Sequence, residues 1–247
     1  MKPFQHDWVV LFDHDGTVVD SETIALESAW RLTKEVAREF PGAQHYELDE
    51  FVKTFAGKPY REILKKIYAD SLTSLNERDI DRLVAEEEKR AIERLTVEAK
   101  ATQGTPEVLS YLRDDGFKYA LVSNSSLQRL SACLTSAALT DYFPSEQIFS
   151  AHDSLPVPRP KPLPDIYLYA VKCLDAEVSD CVAIEDSLSG VRAAVAAGIG
   201  YIIGYVGGTH ISEDERSSRA DALQSAGAQQ VIERMYDLIG LLSATPV

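Results

Sequence analysis

The sequence is poor in cysteine and lacks a long apolar segment. Its 3 cysteines, Cys133, Cys173 and Cys181, have no spacing typical of a metal site, and an odd, scattered set favours a reduced cytosolic protein over a disulfide scaffold. The longest uncharged run, Ala193 to Thr209, is too short to span a membrane and is interrupted by glycines. Residues 1–7 carry no apolar stretch, so a secretory signal is not expected. These absences predict a cytoplasmic protein without a membrane partner.

Positive charge is also scarce. The 247 residues include 25 Lys plus Arg against 39 Asp plus Glu, a formal net charge of −14 at pH 7. This balance excludes binding of nucleic acid or anionic membranes through bulk charge, so an anionic ligand needs a local device such as a metal ion or a placed lysine. The apolar fraction of 45% excludes wholesale disorder. The length favours about one to two domains, with a monomer as the default.

Short apolar runs of strand character alternate with helical patterns along most of the chain. The apolar runs are Trp8–Phe12, Tyr119–Val122, Cys181–Ile184 and Tyr201–Val206, and the helical patterns are Pro106–Arg113, Leu127–Ala138, Pro164–Leu174 and Leu188–Ala197. Such short, continuous apolar runs suit strands that are buried on both faces. The alternation predicts an α/β fold, a doubly wound parallel sheet with helices on both faces.

One stretch, residues 21–94, breaks this alternation and carries only helical patterns. They are Glu22–Phe40, Leu48–Phe55, Pro59–Tyr68 and Asn76–Arg94. Proline and glycine pairs separate them, and the last is rich in good helix formers. We therefore predict a four-helix domain at residues 21–94, inserted into a core domain formed by residues 1–20 and 95–247.

Polar side chains follow the ends of the predicted strands. Asp13-His14-Asp15 follows the first strand, Ser123–Ser126 the next and Glu185-Asp186 a later one, while Lys161 lies in a proline-rich connecting loop. Singly, these residues fit a turn, helix caps and a solvated loop charge. Since the carboxyl ends of parallel strands meet at one edge of a sheet, their order and position together favour a single site.

This set of residues fits phosphoryl transfer. A cluster of carboxylates cannot stay ionised in one crevice without a cation, and hard oxygen ligands favour Mg²⁺. The metal and a lysine would neutralise the charge of a phosphate and of an attacking carboxylate. Hydroxyl and backbone N–H donors near Ser123 would hold phosphoryl oxygens. One aspartate can act as nucleophile through an aspartyl-phosphate, and a second carboxylate can protonate the leaving oxygen and then activate water.

Four segments resemble, in order, the motifs of the haloacid dehalogenase (HAD) superfamily. Residues 12–22, which read FDHDGTVVDSE, resemble the first motif, Val122-Ser123-Asn124 the second, Lys161-Pro162 the third, and Ile184–Ser187 with Gly190 the fourth. The helical insert is similar to the small cap of the β-phosphoglucomutase and phosphoglycolate phosphatase branch. The resemblance implies a Rossmann-like core with an inserted cap that closes over the site.

The resemblance also implies roles for individual residues. Asp13 would be the nucleophile and Asp15 the general acid/base. Lys161 would bridge the nucleophile and the phosphate, and Ser123 and Asn124 would bind the phosphoryl group.

A Mg²⁺ site is implied as well. Asp186 would complete it with the Asp13 carboxylate and the Asp15 backbone carbonyl, and Glu185 would bind the metal or support its ligands. Because the dehalogenases that attack carbon lack the second aspartate, the presence of Asp15 disfavours dehalogenation.

The sequence departs from β-phosphoglucomutase in two places. A hinge histidine of the mutase corresponds here to Ala25, and a cap arginine corresponds to Tyr60, with Arg61 displaced by one position. The linker Asp20-Ser21-Glu22 resembles that of the phosphatases. These features favour a phosphatase for a small phosphorylated sugar or sugar acid, similar to the 6-phosphogluconate-type phosphatases, and leave a phosphosugar mutase as the alternative.

A second alternative is a non-enzymatic phospho-acceptor module of the response-regulator receiver type. Such modules also place Asp, Ser or Thr, and Lys around Mg²⁺ at the ends of parallel strands. They are shorter, however, and their acidic pair precedes the lysine, whereas Glu185-Asp186 follows Lys161 here. The receiver is therefore disfavoured.

Two further expectations concern specificity and His14. Gly57, Lys58 and Arg61 form a candidate specificity patch, because a glycine-punctuated basic loop suits an anionic or hydroxylated substrate; an exposed helix start with Pro59 in its first turn explains the pattern equally well. The side chain of His14 is expected to point away from its acidic neighbours if the strand geometry continues.

Overall fold

The computed structural model describes residues 8–69, 71 and 75–243, and a parallel sheet of six strands is its central element. The strands, in chain order, are β1 (Val9–Phe12), β2 (Val19–Asp20), β3 (Lys100–Ala101), β4 (Lys118–Ser123), β5 (Ile148–Ser150), β6 (Cys181–Glu185), β7 (Tyr201–Tyr205) and β8 (Gln230–Ile232). The sheet order is β5-β4-β1-β6-β7-β8, and β2 pairs with β3 in a separate antiparallel ribbon. Residues 1–7, which underlie the prediction about a secretory signal, lie outside the described residues.

Helices cover the sheet and form the insert. They are α1 (Glu22–Glu39), α2 (Leu48–Phe55), α3 (Tyr60–Ile67), α4 (Glu77–Glu98), α5 (Thr105–Asp114), α6 (Leu127–Ser136), α7 (Asp165–Cys173), α8 (Leu188–Ala197), α9 (Glu213–Ala226) and α10 (Asp237–Ser243), with 3₁₀ turns at Thr140–Tyr142, Ser145–Gln147 and Val178–Asp180. Helices alternate with parallel strands in the sheet unit, so the predicted α/β doubly wound class is confirmed.

The central strands follow from their apolar runs. All four residues of β1 are buried, and β1 pairs in parallel with β4 on one side and β6 on the other. Residues on both faces of these strands pack under helices, which explains why their sequences are continuously apolar. The register aligns Phe12 with Leu121 and Ile184, so these three strands end at the same edge.

The chain divides into two compact units, residues 21–99 on one hand and residues 1–20 with 100–247 on the other. The helical unit has an apolar core of its own, to which Phe51, Phe55, Ile63, Leu64 and Leu83 contribute. Its last helix, α4, continues to Glu98, past residue 94 where the insert was predicted to end. The continuation has a local cause, because Leu95 is fully buried and Arg94 pairs with Glu98 one turn later.

In the described part of the chain, none of the helices combines the length and the apolar character required to cross a bilayer.

Candidate active site

The carboxyl ends of β4, β1 and β6 bring three of the predicted residues to one edge of the sheet. Asp13 follows β1 directly, and its N–H donates to the Ile184 carbonyl at 2.9 Å. Ser123 is the last residue of β4 and Glu185 the last of β6, and both are buried. Parallel pairing of the three strands therefore places these side chains beside one another.

Lys161 enters this edge from the loop before α7 and lies among the carboxylates. Its Nζ donates to Asp13 Oδ1, to Glu185 Oε1 and to the Val122 carbonyl, each at 2.6 Å. The backbone N–H of Lys161 donates to Asn124 Oδ1 at 2.8 Å. Asn124 thus holds the lysine loop against the end of β4, and its predicted contact with a phosphoryl group stays a prediction.

The site carries more buried negative charge than positive charge. Burial raises the pKa of Asp13 well above its usual range, and the neighbouring carboxylates add to the rise although Lys161 opposes it. Burial likewise raises the pKa of Glu185. Burial alone would lower the pKa of Lys161, but Asp13 and Glu185 outweigh it and raise that pKa above its ordinary value. One ammonium therefore faces several carboxylates, and the arrangement favours an additional cation.

The donor set fits a hard divalent cation. One carboxylate oxygen each from Asp13, Glu185 and Asp186 lies within 4.8 Å of the other two, and all three residues are buried. Among the described residues, Glu185 Oε2 has no hydrogen-bond partner, whereas Glu185 Oε1 accepts from Lys161 and from the Tyr167 hydroxyl. Buried carboxylate oxygens with spare acceptor capacity are the ligands that Mg²⁺ prefers. The residues present thus fit the predicted metal.

Asp15 belongs to a different group of contacts. The Ser125 hydroxyl donates to its Oδ2 at 2.6 Å, and the Arg129 guanidinium donates to its Oδ1 at 3.2 Å. Burial would raise the pKa of Asp15, but the charges of Arg129 and His14 outweigh burial and hold that pKa well below its usual range. The carboxylate of Asp15 is therefore held apart from the cluster around Lys161.

The expectation for His14 was wrong. Its ring is fully buried, with Nδ1 at 3.5 Å from Asp15 Oδ2, rather than turned away from the acidic neighbours. The strand geometry assumed for that expectation ends at Phe12, and the backbone turns through Gly16, whose φ is +79°. Once the extended geometry ends, alternation of side chains no longer holds.

His210, for which the sequence gave no partner, also contacts the site. Its Nε2 lies 3.2 Å from Asp186 Oδ2 in the loop after β7. A Cβ on Gly16 would overlap both the Asp186 carboxylate and the His210 ring, so a glycine is needed there for this approach as well as for the turn. The neighbouring Thr209 donates through its N–H and hydroxyl to Asp20 Oδ1, at 3.2 and 3.0 Å.

Four site residues were thus missed by sequence reasoning, namely Ser125, Arg129, Tyr167 and His210. Ser125 stood within a polar run already noted, and Arg129 lies in the first turn of the following helix, which is the local signal that points to them. Tyr167 lies in the α7 pattern, where an aromatic residue predicts only core packing. His210 is distant in sequence from every motif, so its contact depends on the path of a loop.

The predicted specificity residues lie in the helical unit, and contacts within that unit describe them. Gly57 has a φ of +74°, and its N–H donates to Glu22 Oε1 at 2.6 Å. Lys58 Nζ lies 5.9 Å from the ring centroid of Phe55. Arg61 donates to the carboxylates of Glu77, at 2.6 Å, and Asp81.

Comparison with known proteins places this site in a family. The model of the haloacid dehalogenase-like hydrolases matches residues 9–198. Phosphoglycolate phosphatase of Nitrosospira multiformis is 30% identical over 191 residues, 76% of this chain and 79% of that protein. Phosphorylated carbohydrates phosphatase of Thermotoga maritima is 29% identical over 229 residues, 91% and 93% of the two chains. A haloacid dehalogenase-like protein of unknown function from Agrobacterium tumefaciens has a similar structure, with a TM-score of 0.78, 33% identity and coverage of 96% and 98%.

The chain belongs to the haloacid dehalogenase-like hydrolase family. The predicted family and the predicted enzyme class, a hydrolase of the phosphatase type, are confirmed at this level.

Proposed function

We propose that the protein is a Mg²⁺-dependent phosphatase that hydrolyses a small phosphorylated metabolite through an aspartyl-phosphate on Asp13. The observation that carries the proposal is the contact of Lys161 Nζ with Asp13 and Glu185 at the carboxyl edge of the sheet. It leaves a carboxylate nucleophile and a cation side by side, with the Asp15 carboxylate supplied separately by the same turn. Phosphatases in this family, named above, support the class of reaction.

Each proposed chemical role follows from position. The Asp13 carboxylate attacks phosphorus, the bond from phosphorus to the substrate oxygen breaks, and Asp15 gives that oxygen a proton. Asp15 then takes a proton from water as the water attacks the aspartyl-phosphate, which releases phosphate and restores Asp13. Lys161 orients Asp13 and offsets the charge of the transferred group, and Ser123 at the end of β4 offers a hydroxyl to it.

The carboxylates of Asp13 and Asp186, with Glu185 and the Asp15 backbone carbonyl, would hold Mg²⁺. When bound, the ion supplies positive charge that offsets the negative charge of the phosphoryl oxygens. Phosphate release should therefore stop in EDTA and return with added Mg²⁺.

The substrate we propose is a phosphorylated sugar or sugar acid, handled by a cytoplasmic monomer that does not use nucleic acid. The net charge of −14 opposes polyanionic partners, and the T. maritima relative is named for phosphorylated carbohydrates. Measuring phosphate release over sugar phosphates, sugar-acid phosphates, phosphoglycolate, nucleotides and pyrophosphate tests this proposal. Preference for a sugar or sugar-acid phosphate supports it, and inactivity toward every phosphomonoester contradicts it.

The phosphosugar mutase is distinguished by its product. The phosphatase releases inorganic phosphate from β-glucose 1-phosphate, whereas a mutase converts it to glucose 6-phosphate. Ala25, at the position of the mutase hinge histidine, is a buried apolar residue of α1, which supports the phosphatase.

The role of Lys58 and Arg61 in specificity is also proposed. Their joint change to alanine should raise KM selectively among the sugar phosphates, while Lys65→Ala, an exposed basic residue of α3 that also pairs with Glu77, serves as the matched control. Equal KM changes across all substrates would rule the patch out.

A further inference from the structure

Two side chains from one segment hold the Asp15 carboxylate. Ser125 donates to Oδ2 at 2.6 Å, and Arg129 donates to Oδ1 at 3.2 Å, so each oxygen has a donor. The side chains of Arg129 and Asp15 are only 14% and 17% exposed, respectively. An arginine so placed is shielded from water, and its planar fork fixes the plane of a carboxylate better than a mobile ammonium would.

The segment that carries these donors is itself fixed. The Ser125 N–H donates to Ser123 Oγ at 3.0 Å, and the Ser125 carbonyl accepts from the Ser150 hydroxyl at 2.7 Å. At the start of α6, the Arg129 N–H donates to Ser126 Oγ at 3.3 Å. Helix α6 and the end of β5 thus hold Ser125 and Arg129 in place, and the orientation of Asp15 depends on them.

We propose that Arg129, assisted by Ser125, is a positioning residue that directs the Asp15 carboxyl group toward the leaving-group oxygen. The inference rests on the proposed phosphatase function, and it assigns Arg129 no contact with the phosphoryl group. The proton moves from Asp15 to the departing oxygen as the bond from phosphorus to oxygen breaks; Arg129 neither gives nor takes a proton.

This role has a chemical signature. A substrate with a good leaving group, such as p-nitrophenyl phosphate, needs little protonation in the transition state, whereas an alkyl phosphate needs much. Misplacing Asp15 should therefore harm alkyl phosphates selectively. An arginine that bound the phosphoryl group would affect both kinds of substrate alike, because the transferred group is the same.

The test compares kcat/KM, which covers the steps up to departure of the leaving group, for p-nitrophenyl phosphate, phenyl phosphate and the best alkyl phosphate of the wild-type enzyme. For Arg129→Gln, we expect a loss of about 100-fold with the alkyl phosphate and of no more than about threefold with p-nitrophenyl phosphate. Ser125→Ala should give the same ordering with smaller losses, and Arg129→Lys should restore part of the loss. Arg113→Gln, an exposed arginine of α5, is the matched control.

Two additional measurements separate positioning from other roles. The inhibition constant for inorganic phosphate should stay within about twofold of the wild-type value, because phosphate binding is intact. In an Asp15→Asn background, Arg129→Gln should have no further effect, since its route of action is already removed. A uniform loss across leaving groups, a large rise in the phosphate inhibition constant, or additive losses with Asp15→Asn would overturn the inference. Wild-type inactivity toward all three esters would instead refute the proposed function itself.

Discussion

At the scale of single residues, Asp13 shows how a catalytic position loads the fold with unfavourable charge. Burial and the carboxylates of Glu185 and Asp186 raise its pKa well above the ordinary 3.8, with Lys161 opposing the rise. The folded state then holds the Asp13 proton more tightly than the unfolded state does. Through this residue, the free energy of unfolding falls as the pH rises from 3.8 through the raised folded pKa.

Asp13→Asn should therefore stabilise the metal-free protein by about 1 kcal/mol near neutral pH, even though it abolishes turnover. The gain should shrink toward zero as the pH falls to 3.8, because the carboxyl group is then protonated in both states. Urea unfolding of both proteins in EDTA, from about pH 4 to about pH 8, measures the difference, with Asp141→Asn at an exposed position as the control. A variant less stable than wild type at neutral pH, or a gap independent of pH, would show that the charge of Asp13 is well compensated.

Gly190 illustrates a steric requirement at the same site. A Cβ there would overlap the buried Glu185 carboxylate, whereas a Cβ on Gly240, in α10, would meet open space. We expect Gly190→Ala to lower the free energy of unfolding by about 1–3 kcal/mol through overpacking. Gly240→Ala should raise it by about 0.5–1 kcal/mol through helix propensity. Chemical denaturation of the two variants checks the pair, and equal effects would refute the steric explanation.

At the scale of elements, α9 begins with a reciprocal cap. The N–H and hydroxyl of Ser212 donate to Glu215 Oε2, at 3.4 and 2.5 Å, and acidic residues occupy the first turn. Since α9 buries only Leu223 among its own residues, we expect its cap to contribute a large share of its local stability.

Ser212→Ala should cost about 1 kcal/mol, because donors and acceptors at the helix start lose their partners. Ser217→Ala, an exposed position inside the same helix, should be neutral or slightly stabilising. Thermal unfolding of the two variants compares the same chemical change at a cap and in a helix interior. Equal melting temperatures would show that the cap contributes nothing.

The elements also show which parts of the fold are predictable from sequence. The central strands were predicted because continuous burial leaves a continuous apolar run, and α2 and α8 were predicted to the residue. The edge strands β5 and β8 were missed, since each has only three residues and is partly exposed, so no apolar run marks it. The same logic applies to the site: Asp13 and Glu185 follow from strand ends, but the contacts of Arg129 and His210 depend on helix phase and loop path.

At the scale of the whole molecule, metal binding should be coupled to folding. A ligand that binds only the native state stabilises it by about 2.7 kcal/mol at a concentration of 100 times its dissociation constant. We expect Mg²⁺ to raise the melting temperature of the wild-type protein and EDTA to reverse the rise. Asp186→Asn should reduce the shift, because it removes one charge from the buried trio with Asp13 and Glu185. A Mg²⁺ shift equal in wild type and variant would place the metal elsewhere.

The central claim is that Asp13 becomes phosphorylated, and trapping the phosphoryl group tests it most directly. In the Asp15→Asn variant, p-nitrophenyl phosphate should still phosphorylate Asp13, because its leaving group needs little protonation, while attack by water should be slow without the base. Acid quenching and mass spectrometry should then find one phosphoryl group, labile to hydroxylamine, on the peptide that contains Asp13. The double variant Asp13→Asn, Asp15→Asn should carry none. A phosphoryl group on another residue, or release of p-nitrophenol by Asp15→Asn without any covalent phosphate, would contradict the account.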